Sequence, residues 1–109
     1  MTVGEWLDAR LGGVPEPLAG RLRDLLSADL PRDADELPEA SVAAAERTAA
    51  RLLREGCTTR EGALDLLAAD ALVTSALEAA ADAPERLPER ARVALRQLAS
   101  VADAAGAAA

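Results

Sequence analysis

The apolar part of this chain is built almost entirely from two residue types. Of its 109 residues, 28 are Ala and 18 are Leu, while Ile, Phe and Tyr are absent. Trp6 is the only aromatic residue. Ala and Leu stand at the top of the helix-propensity scale, and the β-branched and aromatic strand formers are scarce here. The expected fold class is therefore all-α. A core of Leu, Val and Ala is small, because a chain of this length buries roughly two thirds of its unfolded surface. Ala adds little hydrophobic free energy, but it lets helix axes approach closely. Such a core invites help from a partner or from a second copy of the chain.

Apolar spacing divides the chain into five helices, at about 3–11, 17–28, 39–55, 59–81 and 88–105. Thr2 with Glu5 forms a capping-box pattern at the first, and Gly12-Gly13 stops it. Leu18, Leu22, Leu25 and Leu26 give the second helix one clear stripe. Residues 29–38 carry two prolines and a run of acids, and are expected to be a loop and the most mobile segment. Val42, Ala45, Ala49, Leu52 and Leu53 mark the third helix, which ends at Gly56. Thr58 with Glu61 repeats the capping-box pattern before the fourth. In that helix Leu66, Val73 and Leu77 cluster on one side, and Leu64, Leu67 and Ala71 on another, so it is expected to be buried on more than one face. Leu87, Ala91, Leu95, Leu98 and Val101 or Ala102 form the stripe of the fifth.

The expected architecture is a compact bundle of about five helices, with helix 59–81 central and sequential neighbours antiparallel. It forms a single domain over residues 1–106, with a frayed tail at 107–109. Leu66, Val73 and Leu77 are expected to be buried, together with Leu22, Leu25, Leu52, Leu95 and Leu98.

Composition excludes much familiar chemistry. With no His, a conventional Ser-His or Cys-His nucleophile cannot be assembled, and with one Cys the usual zinc sites are excluded as well. All 12 basic residues are Arg, so a Schiff-base lysine and a Walker-type phosphate loop are ruled out. No cofactor is expected. The formal net charge of −7 argues against a nucleic-acid surface. No segment holds 18 consecutive apolar residues, and Met1 to Leu11 lacks the basic start of a signal peptide. A lone Cys fits a reducing cytoplasm, where the protein is expected to reside.

Several residues remain as candidates for chemistry. Asp70 lies beside the Leu66–Val73–Leu77 face with Thr74 four residues on. It reads either as a buried carboxylate near a ligand, or as an edge residue paired with an Arg from helix 3 or 5. Arg47, Arg51 and Arg54 share one helix face. They read either as an anion site or as a solvated face with local pairs to Glu46 and Glu55. Arg86, Arg90, Arg92 and Arg96 stand near Glu85 and Glu89 and read in the same two ways. Cys57 reads either as a reactive thiol or as a small buried hydrophobe. Trp6 and Leu7 are candidate interface residues, although Trp6 can equally pin helix 1 to the bundle.

The stretch Arg60 to Ala81, which contains LLAADALV, is similar to a small-residue helix of the trans-isoprenyl diphosphate synthases. That family implies an aspartate-rich DDxxD motif holding Mg²⁺, and diphosphate-binding lysines. The chain has no DDxxD, no adjacent pair of Asp and no Lys, and Asp65 and Asp70 are five apart. No functional residue carries over, and the chain is not assigned to the family.

The expectation that results is a small non-enzymatic helical module for protein–protein interaction, most simply a homo-oligomer. The alternative is a small-ligand-binding bundle, or a carboxylate-based enzyme using Asp70 with Arg residues.

Overall fold

The computed structural model describes the backbone of residues 1–108 and the side chains of residues 1–104. Of the tail expected at 107–109, residue 109 lies outside the described residues, and the helix before it runs to Ala108.

Five helices form among the described residues: α1 (Val3–Arg10), α2 (Glu16–Leu25), α3 (Leu37–Glu55), α4 (Arg60–Ala80) and α5 (Leu87–Ala108). Short 3₁₀ turns at Leu11–Gly13, Ala34–Glu36 and Pro84–Arg86 lead out of or into them. No strand exists among the described residues, only an isolated bridge between Thr2 and Asp33. The capping box at α1 is complete, with the Thr2 hydroxyl accepting from the Glu5 amide and the Glu5 carboxylate accepting from the Thr2 amide. Gly56 ends α3 at φ 83°, a left-handed conformation that only Gly adopts cheaply. At α4 the cap is Thr59, whose hydroxyl accepts from the Gly62 amide at 2.9 Å, so the box expected from Thr58 and Glu61 does not form.

The helices α3 and α4 form the central pair, with α2 packed on α4 and α5 packed on α3. Helix 59–81 thus shares the centre with its predecessor. The pair is close because its buried faces are small: Ala40, Ala44, Ala45 and Thr48 on α3, and Gly62, Ala68, Leu72, Ala76 and Ala79 on α4, with Ala40, Ala44, Ala45, Ala68 and Leu72 in one core cluster. A Cβ on Gly62 would lie 2.8 Å from the Cys57 backbone, so the α3–α4 turn closes only over a glycine. Leu7, Leu22, Leu26 and Leu72 supply the bulk of the core around these alanines.

The segment 29–38 is more ordered than its charge and prolines imply. The Val3 and Gly4 amides, free donors of the first turn of α1, donate to the carbonyls of Arg32 and Leu30 at 2.8 and 3.0 Å. The Ala34 amide returns to the Met1 carbonyl at 2.9 Å. Arg90 of α5 also grips this segment, donating to the Asp35 carbonyl at 2.9 Å and to Glu39 at 3.0 Å.

The core expectation holds for Leu22 and fails for most of the rest. Leu66, Leu77 and Leu95 are 55, 65 and 68% exposed, and Leu98 is 38% exposed. Leu25, Leu52 and Val73 are half-buried. The physical reason is the small-residue face. With α4 held to α3 by Gly62, Ala68, Ala76 and Ala79, its leucine stripe is rotated sideways, away from the pair's contact.

Candidate functional site

Two features stand apart from ordinary packing, a buried carboxylate and an open apolar groove. The buried carboxylate is Asp65, 4% exposed. Arg21 of α2 donates through Nε to Oδ1 and through Nη2 to Oδ2, the latter at 3.0 Å. Arg51 of α3 donates through Nη2 to Oδ2. The Arg21 hydrogen bonds hold the Asp65 carboxyl below the usual carboxylate range; burial works against this, and the charges of Arg21 and Arg51 reinforce it. In return the Arg21 guanidinium is pushed up, chiefly by its hydrogen bond to Asp65. Both carboxylate oxygens are engaged, so the group is a structural anion and a poor proton carrier.

The residue singled out by sequence, Asp70, is exposed, and no ion pair joins it to an Arg among the described residues. Thr74 donates its hydroxyl to the Asp70 backbone carbonyl at 3.1 Å, not to its carboxylate. The buried acid with an Arg partner on α3 is thus Asp65. A signal for it is present in the sequence: Asp65 falls in the stripe of Gly62, Ala68, Leu72 and Ala76, at spacings of three, three, seven and eleven.

Arg47, Arg51 and Arg54 do not act together. Arg51 is taken by Asp65, Arg47 reaches the Leu25 carbonyl at 3.5 Å, and Arg54 is exposed. Of the α5 arginines, Arg90 binds Glu39, and Arg92 pairs with Glu89 at 2.6 Å on the surface. Cys57 is exposed, not a buried hydrophobe. Leu7 is buried in the core and so is unavailable as an interface contact. Trp6 is half-buried against Val3 and Leu37, with the Arg10 guanidinium 5.2 Å from its ring centroid. Asp70 and Thr74 line an open cleft bounded by α1, α2 and α4. Arg10, the basic residue on that cleft, is held by Glu78 and stacked on Trp6, so it does not converge on Asp70.

The apolar groove runs between α4 and α5, with α3 as its floor. At one end Pro38 and Val42 of α3 underlie Leu77 and Ala80 of α4 and Leu87, Ala91 and Ala94 of α5. At the other, Ala45 and Ala49 underlie Leu66 and Val73 of α4 and Leu98 of α5. Its walls include Leu66, Val73 and Leu77 of the helix 4 stripe and Leu87, Ala91 and Leu98 of the helix 5 stripe. Each stripe is a real amphipathic face, but the two face each other across a gap rather than closing on the core. The end beneath Leu77 and Ala91 holds about 80 Å³, and the more open end beneath Leu66 and Leu98 about 450 Å³.

No helix of the described residues is long and apolar enough to cross a membrane, and no cluster of three potential metal ligands occurs among them. No family model matches the chain, and neither a curated protein nor a solved structure shows significant similarity to it.

Proposed function

We propose that the chain is a helical protein-interaction module that associates with itself and carries out no catalysis. The observation that carries this reading is the exposure of Leu66, Leu77 and Leu98 along the walls of the groove, with Leu95 exposed one turn before Leu98. Isolated exposed leucines are ordinary, but a contiguous apolar face of this kind is characteristic of association surfaces. The buried carboxylate supports the reading by its saturation: an acid held ionised by two arginines is badly placed to exchange protons.

Sedimentation velocity over a wide range of protein concentration tests the reading. The expected result is a sedimentation coefficient that rises from the monomer value to the dimer value. A coefficient fixed at the monomer value up to the highest soluble concentration would overturn self-association.

A further inference from the structure

Resting on that reading, we infer that the occupant of the α4–α5 groove is α5 of a second copy, seated reciprocally and set in register by ion pairs between Asp70 and the Arg92–Arg96 turn. Three observations argue for this occupant. First, the accessible surface is 6523 Å² for a mass of 11.2 kDa. A folded monomer of that mass has about 5,700 Å². The excess, roughly 800 Å², is of the size that each partner contributes to a standard protein–protein interface.

Second, the groove is long and apolar, and α5 itself carries a matching ridge. Leu95 is 68% exposed beside the groove, and Leu98, one turn on, lines it. A ridge beside a groove on the same surface is self-complementary, which a two-fold dimer requires. The four helices α4, α5 and their copies would then close into a bundle with no open leucine face.

Third, the rims are oppositely charged. On α4 the exposed acid beside Leu66 and Val73 is Asp70. On α5 the exposed charges flanking Leu95 are Arg92, which Glu89 already contacts at 2.6 Å, and Arg96, which has no ion-pair partner among the described residues. The two walls run antiparallel, since Leu77 shares one end of the groove with Ala91 while Leu66 shares the other with Leu98. A two-fold axis near Leu95 therefore sets α5 of the second copy parallel to α4, with its Arg92 level with Asp70. The pairing occurs twice, and it offsets the mutual repulsion of two chains of formal net charge −7.

The test uses two charge-reversed full-length chains, Asp70→Arg and the double variant Arg92→Asp/Arg96→Asp. All three positions are solvent-exposed, and circular dichroism checks that each chain folds. Alone, each variant faces like charge at both symmetry-related sites and should dimerise about tenfold more weakly than the parent. Mixed in equal amounts, they restore opposite charges at both sites, and the mixture should dimerise within about threefold of the parent. Asp70→Arg lowers the net negative charge, so a nonspecific charge effect would strengthen its dimer instead. If the parent dimerises while the variants match it, or while the mixture is no tighter than either variant, this occupant and register are wrong and self-association stands. A parent that stays monomeric overturns both.

Discussion

Asp65 ties three helices together through one carboxylate, reaching α2 by Arg21 and α3 by Arg51. Breaking a buried ion pair by removing one partner costs about 3–5 kcal/mol. The two Arg side chains keep 30 and 32% of their surface in water, which moderates that figure. Asp65→Asn is expected to lower the unfolding free energy by about 2–3 kcal/mol at neutral pH, read from the urea midpoint. The pH dependence follows from the lowered pKa. A carboxyl depressed in the folded state contributes fully above its unfolded value, near 3.9, and loses that contribution as pH falls through the folded value. The gap between parent and Asp65→Asn should thus be constant from pH 7 to about 5 and shrink below about 4. A gap that persists at pH 2 would contradict the ion-pair assignment. The sequence made it clear that an acid in this helix needed an Arg partner. It does not single out Asp65, because the larger apolar residues cluster around Asp70. The small residues in register with Asp65 mark the face that is actually buried.

At the scale of the helix, periodicity located all five elements to within two or three residues, because leucine spacing, prolines and glycines all point to the same boundaries. Which face of α4 and α5 turns inward was harder to read. Hydrophobicity ranks leucine above alanine, so the leucine stripes looked like the core. Packing geometry ranked them differently: alanine and glycine let α3 and α4 approach closely, and Leu72 alone supplies the bulk on that face of α4. A paired measurement separates the two rankings. Leu72, fully buried, should cost about 2–5 kcal/mol on substitution by Ala. Leu77→Ala, at 65% exposure, should leave the melting temperature of dilute monomer within about 2 °C of the parent. Equal losses at the two sites would mean that α4 is rotated from the orientation described.

The whole molecule measures 41 × 33 × 20 Å, thin enough that two helix diameters span its shortest axis. In so flat a body α5 covers one side of α3 but leaves the groove beside α4 open. The thin core anticipated from composition therefore takes a specific form, as apolar surface left over along one groove. If a second copy covers that surface, stability depends on protein concentration, since association adds free energy to the folded state only. The most direct test is the melting temperature of the native chain across a hundredfold range of concentration, measured beside Leu77→Glu/Leu95→Glu. A hundredfold change is worth about 2.7 kcal/mol per dimer, enough to move the midpoint by several degrees. The predicted result is a midpoint that rises with concentration for the native chain and stays level for the variant, at the dilute native value. A native midpoint independent of concentration, or a variant that unfolds well below it at every concentration, would contradict the claim that these leucines form an interaction face rather than the core.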